Sequence, residues 1–98
     1  MTITDTFKTI PASFTKKGFN YQLVKREGDV AIYSQTWKEG TNTRYETVKI
    51  GRHNGYSMGG SYIEPSETYP GSSLWGISGW TYCSLEEAEN KFQKLIVD

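Results

Sequence analysis

Cysteine and histidine each occur once, as Cys83 and His53. A lone cysteine excludes an intrachain disulfide and suits a reducing compartment. With one histidine and scattered acids, no spacing of metal ligands is present. No apolar run approaches the roughly 18–20 residues that a membrane span needs. The opening Met1-Thr-Ile-Thr-Asp-Thr-Phe-Lys-Thr-Ile10 has neither a basic n-region nor an apolar h-region, so no signal peptide is expected and the protein reads as cytoplasmic. The loosely spaced Gly51, Gly55, Gly59 and Gly60 match neither GxxxxGKS/T nor GxGxxG, so no phosphate cradle and no cofactor are expected. Between Arg52 and Lys91 there is no lysine or arginine at all.

What is there suits one folded domain. The chain has 98 residues, 36% hydrophobic, 14% aromatic and 22% charged, a balance that fits a small core better than a disordered tail. Its zero net charge hides a gradient. Residues 1–52 hold nine Lys/Arg against five Asp/Glu, and residues 53–98 hold two against six. A duplex-DNA binder needs several phosphate-facing cations, and only the first half could supply them.

Residues 1–18, rich in Thr and Lys with Pro11 and Gly18 as breakers, show neither alternation nor helical spacing and read as a flexible N-terminal arm that Phe7, Ile10 and Phe14 could pin down. Residues 19–98 form a single α+β domain. Phe19-Asn-Tyr21-Gln-Leu23 alternates; Val30–Trp37 is β-branched and aromatic; and Arg44, Glu46, Val48 and Ile50 share one face of a third strand. The turn at 38–42 offers Gly40 or Asn42 for positive φ. Short connections make these strands an antiparallel meander. Residues 51–80 hold seven of the ten glycines with Pro65 and Pro70, yet carry Tyr56, Tyr62, Tyr69, Trp75 and Trp80. So long a loop signals function or a missed strand, and residues 60–64 are the strand candidate. Trp80-Thr-Tyr82 is a further short strand. Ser84-Leu-Glu-Glu87 is a capping box, with Cys83 and Ala88 placed for a weak staple, and Leu85, Ala88, Phe92, Leu95 and Ile96 form one apolar helical stripe. The fold expected is an antiparallel β-meander of three to five strands with one C-terminal α-helix packed on it.

Little here supports catalysis. His53 lies in a polar loop without a triad-like neighbour spacing. Cys83 precedes a helix N-terminus but lacks a CxxC partner, and reads as a small buried residue between strand and helix. Glu64 and Glu67, three apart around Pro65, read as solvated loop acids. The remaining signal is aromatic. Trp and Tyr dominate binding hot spots, but a small domain also uses them as core; Trp80 reads as core, and Trp75 fits either role.

Two resemblances arise in the C-terminal half. Leu74-Trp-Gly-Ile-Ser-Gly-Trp80-Thr-Tyr-Cys-Ser-Leu85-Glu-Glu-Ala88, after Tyr45–Ile50 and Tyr69-Pro70, resembles the close of small uncharacterised proteins of tailed phages and prophages, over roughly residues 44–96. That likeness implies a phage-type protein at work in the host cytoplasm and carries no activity with it. Trp75-Gly76 and the Ser84–Ala88 helix start are also similar to WGR domains, which are linked to nucleic-acid-end recognition. The third motif position, normally Arg, is Ile77 here, which removes the phosphate-seeking side chain.

The expectation is therefore a non-enzymatic protein that binds a host or phage protein. By analogy with other small phage proteins, it would inhibit host defence such as a CRISPR effector. The partner surface expected is the 51–76 loop, with Tyr56, Tyr62, Tyr69 and Trp75 as anchors and Arg52, His53, Glu64 and Glu67 as rim. Self-association is a further possibility. The alternative is nucleic-acid binding through Lys25, Arg26, Lys38, Arg44, Lys49 and Arg52, which alternation need not gather into one patch.

Overall fold

Alternating apolar and polar residues from Phe19 onward build a strand that buries Tyr21 between half-buried Phe19 and Leu23 and leaves Asn20 and Gln22 exposed. The computed structural model describes residues 8–97. In chain order it contains β1 (Ser13–Lys16), β2 (Phe19–Glu27), β3 (Val30–Trp37), β4 (Thr43–Lys49), β5 (Gly51–His53), β6 (Tyr56–Met58), β7 (Ser61–Ile63), β8 (Ser66–Thr68), a 3₁₀ turn (Ser72–Leu74), β9 (Gly79–Tyr82) and α1 (Leu85–Val97). Five strands form one antiparallel sheet in the order β1-β2-β3-β4-β9. The single helix packs on one face of it, so the α+β meander expected from the sequence is the fold.

The helix covers the face that carries Ile32 and Thr47. Ala88 and Phe92 are buried against Ile32, with Val30, Tyr45, Tyr82, Leu85 and Ile96 packed around them. Thr47 lies on this dry face because its hydroxyl donates to the Ala88 carbonyl at 2.9 Å, which satisfies a polar group that burial would otherwise penalise. At the helix start, Ser84 Oγ accepts from the Glu87 N–H at 3.2 Å and donates to the Glu87 carboxylate at 3.3 Å. Trp80 is half-buried on the same side, with the Lys91 ammonium 4.1 Å from its ring centroid.

The opposite face is aromatic. Tyr21, Ala31, Tyr33, Val48 and Ile50 form a second buried cluster, against which Ile10, Phe14, Phe19, Leu23, Tyr69 and Trp75 pack. A β-bulge at Val24 decides what else reaches each face. The register slips between Leu23 and Lys25, so Lys25 pairs with Ile32 on the helix side and Arg26 pairs with Ala31 on the aromatic side.

Five local expectations differ from the structure, one of them Glu67, which lies in β8 with its side chain 8% exposed and paired with Arg26 instead of standing as a solvated loop acid. Residues 1–7 of the expected 1–18 arm, Phe7 included, lie outside the described residues. Ser13–Lys16 pairs with β2, and Phe14 stacks on Tyr21 at 4.8 Å, because the neighbouring strand supplies the partner that short polar sequence cannot reveal. Cys83 is exposed, since the chain turns outward between β9 and α1, so it fills no gap there. Neither Gly40 nor Asn42 takes positive φ; Lys17 and Gly18 do, at 53° and 88°, in the β1–β2 turn. Residues 51–68 are a strand-built arm instead of a free loop, and the strand expected within 60–64 is β7.

Candidate functional site

Chain folding divides the expected 51–76 surface into two places. The first is a two-stranded arm. β5 pairs with β8 (Arg52 opposite Glu67, His53 opposite Ser66), and β6 pairs with β7 (Tyr56 opposite Ile63, Ser57 opposite Tyr62). Gly59 and Gly60 close the tip with φ of +58° and +84°, and a two-residue turn of this kind needs positive φ at both positions. Tyr56, Met58 and Tyr62 stand at that tip with 47%, 58% and 62% of their surface exposed.

The root of the arm is ionic. Glu67 accepts two bonds from Arg26, at 2.8 and 2.7 Å, and a third from the Ile10 N–H at 3.2 Å. Arg52 bonds both oxygens of Asp29, at 2.8 and 2.6 Å, and reaches Glu67 at 3.4 Å. The Arg26 guanidinium holds the Glu67 carboxyl below its ordinary range, and Arg52 does the same for Asp29. Lys8 adds backbone bonds to Pro65 and Glu67, which tie the N-terminal segment to β8. His53 is structural as well. Its Nδ1 accepts from the Gly55 N–H at 3.2 Å, which puts the ring proton on Nε2, 2.8 Å from Ser66 Oγ. A proton already on Nε2 leaves that nitrogen unable to take one from Ser66. Glu64 is exposed in the connection between β7 and β8.

The second place is the aromatic face of the sheet, where Tyr69 and Trp75 fold down. The Tyr69 ring meets Phe14, Tyr21 and Tyr33 edge to face, at 5.5, 5.7 and 5.3 Å between centroids. Its hydroxyl donates to Glu46 at 2.6 Å. Trp75 lies over Gly79, where a side chain would collide with the indole, and its Nε1–H donates to Thr81 Oγ1 at 2.9 Å. Thr81 in turn stands 3.5 Å from the second oxygen of Glu46. Glu46 is 5% exposed, and burial pushes its carboxyl up despite these donors and the field of Lys16. Burial and the neighbouring carboxylate push the Tyr69 hydroxyl up too. Above this floor is an open cavity of about 640 Å³, whose wall includes Lys16, Tyr21, Gln35, Glu46, Tyr69 and Trp75. Among the described residues no ion pair involves Glu46.

Of the eight expected interface residues, Tyr56, Tyr62 and Glu64 point to an exposed arm, Arg52, His53 and Glu67 brace it, and Tyr69 and Trp75 build the cavity. The six basic residues do not converge. Lys25 sits on the helix side, its ammonium 5.0 Å from the Phe92 ring centroid and 3.7 Å from Glu89. Arg26 and Arg52 serve the root of the arm, Lys38 lies in the β3–β4 turn, Arg44 is near Trp37 at the far end of the sheet, and Lys49 is exposed at the end of β4. Sequence reading passed over Glu46, Lys16 and Gln35. The available signal was an acid sharing a strand face with Val48 and Ile50.

Among the described residues no three His, Cys, Asp or Glu side chains converge as metal ligands, and no helix is long and apolar enough to cross a membrane. Comparison with known protein families, curated proteins and solved structures gives no match for this chain.

Proposed function

We propose that this is a non-enzymatic binding protein whose β5–β8 arm docks on a protein partner. One observation carries the reading: three large side chains, Tyr56 and Met58 on one face of the hairpin and Tyr62 on the other, are held out at the tip of an arm whose root is fastened by ion pairs. Exposing rings and a thioether together is costly in water, and rigid aromatic anchors lose little entropy on docking. The tip hairpin has no lysine or arginine of its own, although Lys8 lies beside Tyr62 and Ile63, and so sparse a charge suits a protein surface better than a phosphate backbone. Two of the six candidate phosphate contacts, Arg26 and Arg52, are engaged with Glu67 and Asp29, which weighs against the nucleic-acid alternative. The resemblance of residues 44–96 to small phage proteins points the proposal to a partner in the host cell, and analogy alone extends it to inhibition of a defence effector.

The test compares the intact chain with a Tyr56→Ser/Tyr62→Ser double variant. Both should melt within about 0.5 kcal/mol of each other, as substitutions at an exposed tip do. A protein captured by the intact chain should be lost by the variant, with affinity lower by about 2 kcal/mol or more. Capture that survives in the variant, or nucleic acid retained with a steep fall as salt rises, overturns the reading.

A further inference from the structure

We propose that the cavity on the aromatic face is a binding site for an organic cation, an ammonium or guanidinium group on an apolar body, with its charge set against Glu46 and its body against Tyr21, Tyr69 and Trp75. The site shares no side chain with the tip of the arm, so it stands or falls independently of the docking reading.

Glu46 is the first reason. A carboxylate is costly to bury without a counter-charge, and proteins usually pair such groups. Here it receives one short bond, from Tyr69, and one long contact, from Thr81 at 3.5 Å. A carboxylate has about four acceptor positions, so roughly half of its capacity is left for a donor arriving from the cavity it lines. A cation supplies both the missing charge and the missing donors.

The rings are the second. Aromatic faces attract cations through their quadrupole, most strongly where water is displaced. The chain itself already uses this property. The Lys16 ammonium sits 5.1 Å from the centroid of Tyr69 and 6.0 Å from that of Tyr21. Among the described residues Lys16 makes no ion pair. It is an exposed lysine on the edge strand β1, with a flexible stem. Lys16 thus acts as an internal stand-in: it marks where an ammonium is held and can swing away to admit another. A volume of about 640 Å³ exceeds what an ammonium alone would need and leaves room for an apolar body. Lys16 and Lys17 in the wall would attract an anionic ligand, but Glu46 would repel its charge from the buried floor, so an anion fits the floor poorly.

Two sources offer this chemistry, a free small amine and the lysine or arginine side chain of a protein. Three probes distinguish them in titrations of the full chain, followed through the Trp75 indole N–H resonance: 2-phenylethylamine, N-acetyl-lysine methylamide, and the neutral 2-phenylethanol. At least one amine should give a saturable shift below about 10 mM, with the alcohol at least about tenfold weaker. Saturation by 2-phenylethylamine alone identifies a free cation, and saturation by the lysine probe alone identifies a side chain. Glu46→Gln should weaken amine binding about tenfold or more. Lys16→Met, which removes the internal competitor without touching the core, should tighten it several-fold. The proposal is overturned if neither amine saturates, if the alcohol binds as well as the amine, or if Lys16→Met abolishes binding. Should Glu46→Gln not fold, the amine–alcohol contrast and Lys16→Met decide the matter alone.

Discussion

Arg26 and Glu67 meet fork to fork, at 2.8 and 2.7 Å, although 41 residues separate them in the chain. The pair joins the β2 edge of the aromatic face to β8 and so fixes the direction of the arm that carries Tyr56, Met58 and Tyr62. It depends on the bulge at Val24, which turns Arg26 toward the arm and Lys25 toward the helix. Bidentate geometry and a Glu67 side chain only 8% exposed place this contact above an ordinary surface ion pair.

Glu67→Gln should therefore destabilise the protein by about 2 kcal/mol near neutral pH, because a guanidinium that is itself partly buried keeps only Asp29, at 3.7 Å, as a charged partner. The folded state holds the Glu67 carboxyl below its unfolded value of 4.5, so the stabilisation is present above that pH and is lost as pH falls through the folded-state value. Urea melts of both proteins should differ at neutral pH and converge in acid. A difference that is unchanged in acid would show that charge is not its source.

Glu46→Gln should behave in the opposite sense. Burial raises the Glu46 carboxyl above 4.5, so the folded state binds that proton more tightly than the unfolded one. The protein is then stabilised as pH falls and penalised once the group ionises. Replacing the carboxylate by an amide that can still accept from Tyr69 should raise stability by about 1 kcal/mol near neutral pH, and by nothing in acid. Thermal melts at the two pH values check the sign. A gain here alongside lost cation binding would identify Glu46 as a residue kept for binding at the expense of stability.

Phe92→Ala should cost about 3–5 kcal/mol, because a 2% exposed ring between α1 and the sheet leaves a cavity that the backbone cannot close. A loss below about 1 kcal/mol in a urea melt would contradict the packing of α1 on Ile32.

Gly79→Ala should cost about 1–3 kcal/mol, since its new methyl collides with the Trp75 indole. In a Trp75→Ala background the same change should cost much less. The double-mutant cycle thus measures how firmly Trp75 is seated on the sheet.

Much of this protein is legible locally. The alternation at 19–23, the β-branched run at 30–37, the shared face of Arg44, Glu46, Val48 and Ile50, and the stripe Leu85–Ile96 each record a repeat of two or of about 3.6 residues, which one segment states without its neighbours. These repeats determined an antiparallel meander with a helix on it. The Ser84 cap was equally readable, because its partner lies three residues away.

Tertiary structure decided the rest, wherever a residue's role depends on something distant in the chain. β1 is a strand because β2 lies beside it, and β5 through β8 pair across a Gly-Gly turn within a segment whose composition reads as loop. One inserted residue at Val24 exchanged the faces of Lys25 and Arg26, and so decided that Arg26 and not Lys25 reaches the root of the arm. Tyr69 and Trp75 belong to the cavity while Tyr56 and Tyr62 stand on the arm, although all four are aromatic residues in one glycine-rich stretch. Glu46 looks like any strand acid until Tyr69, 23 residues on, closes over it. Periodicity assigns a side chain to a face. What covers that face is set by contacts across the whole chain, and those contacts made a buried carboxylate and an exposed aromatic tip out of an unremarkable string of residues.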